Sequence, residues 1–475
     1  MAEKKPPVMM DCRLVGSTHK VVVPRPSSAD HFVAMLRKLL PFVLVAVAAT
    51  SSRRAHAEEA LRLEQAVRYA LENNERARKA PLRVEQAQGQ LERARGAFLP
   101  SLTASGAGTY RLQEDRSGRN LTSSGTLTLS QPIFNPGAFP AYEQATHQRE
   151  SEKWNSIQDR RVLAFDTARA FLQALTADRL YEAATKRLER ARNNLENAEA
   201  RAAAGLAGIN DVTRASIEVA NAAREIATAR GRVETAYLNL SFLMNRPISP
   251  PQPGGPPVLV APERTTRAAE SADTMADAHV RAALERRPDL RAAHERTEAL
   301  RASAKEPLWR LAPTIGANAQ LRFLPNPLPT ERGHEETATL TLTWNIFDAG
   351  FRYADRRTRL AQAESQALEE SLLRRQVDNQ IRVAIASLEA AREAYKVTED
   401  LVAAAQKSIE ETEILYQQGL ARAIELTDAT ARRFDAEVTR ASAQLTMQQA
   451  YLELRFALGL GPVDEVPIEG TGGAR

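Results

Sequence analysis

The sequence predicts a mostly α protein with a small β part, built as a tandem duplication of one long-helix hairpin unit. Three observations carry this. The phrase TLSQPIFNPG at 128–137 returns 213 positions later as TLTWNIFDAG at 341–350. No proline interrupts 141–204 or 351–418, so each stretch can make one rod of roughly 100 Å at about 1.5 Å per residue. Four short runs, two beside each copy of the phrase, alternate apolar and polar residues in the period of a strand.

The repeat has further colinear points. VRYALENN (67–74) answers VRAALERR (280–287), and Leu99-Pro100-Ser101-Leu102 answers Ala312-Pro313-Thr314-Ile315, both at offset 213. AYLNLSF (236–242) answers AYLELRF (450–456) at offset 214. The first repeat spans 58–247 and the second 273–463. Between them, 248–272 is a connector whose proline-dense stretch 247–266 is expected not to be helical, and 464–475 is a flexible tail.

Each half reads as helix, two strands, very long helix, turn, helix. Residues 59–96 open the first half as a helix that Pro81 should kink or interrupt. Strands follow at 101–112 and 124–134, then the long helix at 138–204 and a returning helix at 209–245. In the second half the strands fall at 314–323 and 337–347, the long helix at 351–418 and the returning helix at 423–458. Near the end of the first long helix, Tyr181, Ala184, Leu188, Ala191, Leu195, Ala198 and Ala202 keep the three-four spacing of a coiled-coil seam. Glycine-containing turns, AGLAG at 204–208 and QGLAR at 418–422, end the long helices. The shorter helices, laid end to end, match the rod in length, so strands sit at one end and glycine turns at the other.

Composition restricts the class. Hydrophobic residues make up 43% of the chain but aromatics only 5%, which suits closely approaching helices rather than thick cores. The formal charge of +5 is local: residues 1–57 hold nine Lys/Arg and three Asp/Glu, leaving 55 basic and 56 acidic residues elsewhere. Nucleic acid is therefore not an expected partner. The leader itself reads as an export signal, with Arg37 and Lys38 before LLPFVLVAVAA and a small-x-small site at Ala55-His56-Ala57. Its core is 35–57; Met35 suggests that 1–34 precede the true start. Cys12 is the sole cysteine and precedes the signal, so the exported chain has no thiol for a disulfide, metal or lipid.

No catalytic constellation is apparent, and no cofactor or metal is expected. His147, His279, His294 and His334 are scattered without ligand-like spacing, and no phosphate loop or nucleophile elbow is present. The strands point elsewhere. Leu340, Leu342 and Trp344 oppose Thr339, Thr341 and Thr343, giving one greasy face and one uncharged polar face. In an exported chain this suits a barrel with lipid outside and water within. Tyr110, Phe134, Phe323, Trp344 and Phe347 gather at strand ends, where an interfacial girdle would lie. Four strands cannot seal a barrel, and open edges are not tolerated in lipid, so copies must associate. Closure alone admits two chains or three.

The chain resembles the TolC-like outer-membrane efflux proteins over 58–463. EQAVRYALENN and AALERRPDLRAA in the opening helices carry the likeness, with LPSL and APTI before the strands and QPIFNPG and WNIFDAG after them. GLAGINDV (205–212) and GLARAIELTDA (419–429) match the helix tips. The resemblance implies a homotrimer, with twelve strands in one outer-membrane barrel and twelve helices in a hollow α-barrel across the periplasm. It further implies a periplasmic adaptor and an inner-membrane pump as partners, and no enzymatic activity. Carried over by position, Asp211, Tyr416, Glu425 and Asp428 fall at the periplasmic gate, and Gly205, Leu206, Gly208, Gly419 and Leu420 at the adaptor-docking tips. Asp211 also reads as a helix N-cap. Relatives carry a base soon after the second glycine; here that position is Ala421, with Arg422 beside it. The rival reading is a soluble periplasmic coiled-coil scaffold with a small β-domain.

Overall fold

The computed structural model describes residues 60–464, apart from 111, 113–119, 207, 252–256, 274, 326 and 328–331. The export signal, the start at Met35 and the tail beyond 464 lie outside the described residues. Elements run α1 (Leu63–Asn73), α2 (Glu75–Gly96), β1 (Ser101–Tyr110), β2 (Leu121–Phe134), α3 (Ala138–Ala203) and α4 (Ile209–Met244) in the first half. The second half follows with α5 (Glu263–Ser271), α6 (Ala276–Arg286), α7 (Pro288–Trp309), β3 (Thr314–Phe323), β4 (His334–Thr343), α8 (Phe351–Gln417) and α9 (Ala423–Ala457).

Several boundaries differ from the expected ones. The opening helix breaks at Asn74, not at Pro81, which lies exposed within an uninterrupted α2. The cause is a distant carbonyl. Asn74 leaves helical geometry at ψ 138°, accepts from Arg76 N–H, and sends its amide to the Leu243 carbonyl at 2.8 Å, near the end of α4. Its repeat counterpart, Arg287, also leaves helical geometry and donates to the Ala457 carbonyl of α9 at 3.2 Å. Each break thus lets a side chain satisfy an orphan carbonyl at a helix C-terminus. The proline-dense stretch also runs into a helix at its end, α5, because Arg392 holds the Ala269 and Ala272 carbonyls at 2.5 and 2.9 Å. Strand β2 starts earlier than 124, and β4 ends at Thr343 rather than 347. There Trp344 turns its indole N–H onto the Leu311 carbonyl at 2.9 Å instead of continuing the ladder.

The helices form one layer. Rod α3 packs on α2 and α4 along one side, and on α7 and α9 along the other; α8 lies beyond these. Buried apolar residues concentrate midway. One cluster gathers Leu63, Val67, Phe165, Phe171, Tyr237 and Leu240; a second gathers Val377, Ile381, Leu388, Met447 and Leu454. Toward the glycine turns the packing thins to alanine. Ala184, Ala191 and Ala198 on α3, and Ala215, Ala222 and Ala229 on α4, are buried at seven-residue intervals. The leucines of the expected seam, Leu188 and Leu195, are only half-buried.

Candidate functional site: a two-faced sheet and two helix tips

The four strands form one antiparallel sheet in the order β1-β2-β3-β4. Pairing places like with like across all four. Leu102, Leu129, Ala319 and Ala338 make one row, and Ile315 opposes Leu342 nearby. On the other face Thr103, Thr128, Gln320 and Thr337 make a row, as do Ser101, Ser130, Asn318 and Thr339. A slip of one residue in any strand would mix the faces, so the register keeps an apolar side and a hydroxyl-amide side apart. The charged pair Arg322 and Glu335, directly opposite each other, lies on the hydroxyl-amide face. Among the described residues, β1 and β4 have no strand on their outer sides. No residue of the sheet is buried.

Beneath the sheet, where strands become helices, aromatic side chains collect. Phe98 meets Phe139 at 5.1 Å between centroids, and Phe139 meets Trp309 at 5.6 Å. Sequence reading placed Trp344 and Phe347 in this belt but missed Phe98, Phe139 and Trp309, which lie on helices and loops outside the alternating runs. The repeated phrase makes the strand-to-helix turn twice by different means. In the first copy Gly137 has φ −67° and precedes α3 as its cap. In the second, Ala349 and Gly350 have φ 54° and 84°. There Asp348 accepts from Arg352 N–H and from its guanidinium at 2.6 Å, holding the first turn of α8 and drawing the Asp348 carboxyl below its ordinary pKa.

The opposite end carries the glycine turns. Gly205 and Gly419 have φ 72° and 77°, a region that disfavours a Cβ. Leu206 N–H returns to the Arg201 carbonyl and Leu420 N–H to the Leu415 carbonyl, both at 2.8 Å, closing α3 and α8. Gly208 is the N-cap of α4, so Asp211 is not; it sits in the first turn, half-buried, where an acid favours the positive helix end. Glu425 holds the equivalent position in α9, exposed, with Asp428 exposed one turn on. Tyr416 is buried one turn before Gly419. Leu206 and Leu420 project at 77% and 74% exposure. The ion pairs near the tips join Arg187 to Glu218, Lys407 to Glu411 and Arg433 to Glu437; among the described residues they leave out Asp211, Glu425 and Asp428. The structure therefore brings the four gate candidates to one end of the molecule without tying them together by salt bridges.

A residue absent from the sequence reading does tie this end together. Arg201, in the last turn of α3, donates to the Tyr416 carbonyl at 3.0 Å, and its guanidinium lies 4.5 Å from the Tyr416 ring centroid. Its signal in the sequence is faint: one arginine among several on an exposed helix. Some of the scattered histidines also find partners. His147 meets Glu295 at 2.7 Å and His294 meets Glu370 at 3.4 Å, each tying neighbouring helices. One half-buried acid stands out midway along α3. Asp178 accepts from Tyr237 Oη at 2.7 Å, and burial pushes its carboxyl up to about 6.

Among the described residues, no helix is long and apolar enough to cross a membrane. Among curated protein sequences, none matches the chain. In fold it is similar to a membrane protein from Pseudomonas aeruginosa, at 22% identity over 86% of this chain and 92% of that one, TM-score 0.71. It is similar also to the open-state MtrE outer membrane channel of Neisseria gonorrhoeae, at 22% identity, 84% and 89% coverage, TM-score 0.70. VceC, an outer membrane protein of Vibrio cholerae, matches at 19% identity over 84% of this chain and 96% of that one, TM-score 0.68. A family profile, "Outer membrane efflux protein", matches twice, at residues 66–246 and 280–460, one match to each repeat. The soluble-scaffold reading falls with that match: the chain belongs to the outer membrane efflux protein family.

Proposed function

We propose that this outer-membrane efflux protein is the passive exit duct of a tripartite exporter, working as a homotrimer with a periplasmic adaptor and an inner-membrane pump. The observation that carries the reading is the sheet: two chemically distinct faces held in register across four strands, ending in two unpaired edges. Unpaired edges are not viable in lipid, and sister copies are the economical way to close them. The helical layer has matching free sides. Leu368, Val383, Val397 and Leu401 are exposed on α8, and Ile217, Leu238 and Phe242 on α4, at the two outer margins of the layer. Three copies bring these margins together and give twelve strands around a wetted bore.

At the far end, Asp211, Tyr416, Glu425 and Asp428 are proposed to form the gate, and Gly205, Leu206, Gly208, Gly419 and Leu420 the adaptor-docking tips. Repetition of Glu425 and Asp428 around a narrow three-fold bore makes a cation-attracting ring whose carboxylates repel one another. The exposed Leu206 and Leu420 offer apolar knobs to a partner helix. The test is electrical. Purified protein in a planar bilayer should give a low-conductance, cation-preferring pore, and Glu425→Gln with Asp428→Asn should weaken the preference. Unchanged selectivity would reject those two acids as the ring; absence of any pore would reject the duct.

A further inference from the structure

We infer that a cleft between α3, α8 and α9 binds an amphiphilic organic carboxylate, gripped by the guanidiniums of Arg179 and Arg440. The inference goes beyond the duct reading and stands without it. The cleft has a volume of about 630 Å³, a size that suits a small organic molecule. Both α3 and α9 are flanked by helices of the same chain, so the cleft does not wait on a second copy. Its walls carry four cations, Arg179, Lys186, Arg433 and Arg440, and two carboxylates, Glu182 and Glu437. Both carboxylates are already taken: Glu182 pairs with Lys186 at 2.7 Å, and Glu437 with Arg433 at 3.0 Å. Arg179 donates to the side-chain oxygen of Gln444, a neutral acceptor. Among the described residues, neither Arg179 nor Arg440 enters an ion pair.

Two like charges without a counter-charge share one cleft. Arg179 is half-buried; burial first, and then the charge of Arg440, lowers its pKa, while Tyr395 and Glu182 oppose the shift without cancelling it. An anion seated between the two guanidiniums relieves both penalties. A carboxylate fits best, because the planar guanidinium offers it two parallel N–H donors. The rest of the cleft sets what the carboxylate is attached to. Leu180, Ala183, Val402 and Ala441 supply apolar wall, and Tyr395 supplies a ring. Inorganic phosphate would leave that wall uncovered, whereas an apolar or aromatic body covers it. Glu182 and Glu437 stand beside the cleft and repel a second negative charge, which favours a monoanion over a polyanion. Helix packing does not ask for these cations. At offset 214 the repeat has Glu393 for Arg179, Asp400 for Lys186 and Ile226 for Arg440, whereas Tyr395 answers Tyr181. The same hairpin is thus built with the ring kept and the cations gone.

Calorimetric titration of the full-length protein in lipid nanodiscs with naphthoate tests this. Naphthoate should bind saturably at one site per chain and raise the melting temperature. Naphthylmethanol, the same ring without the charge, should bind at least about tenfold more weakly, the scale of losing one charge-assisted hydrogen bond. Arg179→Gln and Arg440→Gln should each weaken naphthoate by about the same factor. Arg440 is exposed and makes no ion pair among the described residues, so its variant should melt with the parent when naphthoate is absent. Arg432→Gln, which removes an exposed cation of α9 outside the cleft, should bind naphthoate as the parent does. Equal affinity for naphthoate and naphthylmethanol, or naphthoate binding unmoved by Arg440→Gln, overturns the site. Inorganic phosphate that displaces naphthoate at equal concentration overturns the organic class. An acidic helical peptide that binds where naphthoate does not makes the cleft a protein-docking groove and overturns the inference as well. Whether the protein conducts in a bilayer bears only on the duct.

Discussion

The two repeats have nearly the same backbone and quite different side-chain chemistry at equivalent points. A neutral amide at Asn74 and a cation at Arg287 satisfy the same late carbonyl of the returning helix. Asn245 and Gly459 end those helices in the same left-handed conformation. Where the first repeat sets a half-buried Asp178 against Tyr237, the second has Arg392, which reaches out to the connector and stops α5. At the tips, Arg214 of the first repeat stands where the second has Asp428. What duplication preserved is a list of backbone groups that need partners and a sheet that needs two faces. Which residue meets each need was free to change.

The largest effect should come where the repeats are alike. Leu129 in β2 and Leu342 in β4 are equivalent and lie on the apolar face. Leu129→Arg and Leu342→Arg should each cost about 2–4 kcal/mol per chain if that face meets lipid. Either should abolish recovery of oligomer from the outer membrane, whereas Thr341→Arg on the hydroxyl-amide face should be recovered normally. A strong loss at one leucine and none at the other would mean that the repeats do not present the same face to the bilayer.

Next in size is the contrast between Asn74 and Arg287. The Arg287 guanidinium is 3% exposed and held by Asp289 at 2.6 Å. Asp289→Ala strands that charge and should cost about 3–5 kcal/mol, while Asn74→Ala removes a neutral cap worth about 1 kcal/mol. Denaturation of the detergent-solubilised protein should show the larger drop for the second repeat. Equal losses would mean that burial of the charge does not set the difference.

The Asp178 site predicts a pH dependence confined to the first repeat. Its folded pKa, about 6, lies above the ordinary 3.8. Its contribution to stability is therefore fully present below about pH 4 and is lost as pH rises through 6. Asp178→Asn should remove this slope and raise stability at pH 7 by about 1–2 kcal/mol, a figure reduced for the solvent that still reaches the pair. Melting curves at pH 4, 5, 6 and 7 would show it. A slope unchanged by the substitution would assign it to other groups.

How much of this was legible in the sequence follows from range. The duplication, the long rods and the alternating strands are written in local periodicity, which survives without knowledge of any distant partner. The family likeness came from short motifs in order. The break at Asn74 was missed because its cause is a carbonyl 169 residues away, whereas Pro81 is a local signal that tertiary packing overrode. Arg201 was missed for the same reason: its meaning lies in a ring 215 positions on. Gate and tip candidates came from position in the motifs, and the geometry adds that the acids share an end without sharing a salt bridge.

The smallest effect should come from the tip glycines, where the repeats are alike again but their surroundings differ. Alanine at φ 72° or 77° puts a Cβ against its own backbone, at about 1 kcal/mol. Nothing lies within 4 Å of a Cβ added at Gly205, and at Gly419 the nearest atom is Arg201 Nη2 at 3.9 Å, an ordinary contact. Gly205→Ala and Gly419→Ala should therefore destabilise equally. Gly208→Ala, with φ −80° and open space around it, should be close to neutral. If Gly419→Ala proved the more damaging, backbone strain could not be the reason, since both turns carry it. The added loss would have to come from the Arg201 contact, and it should then vanish in the Arg201→Gln background.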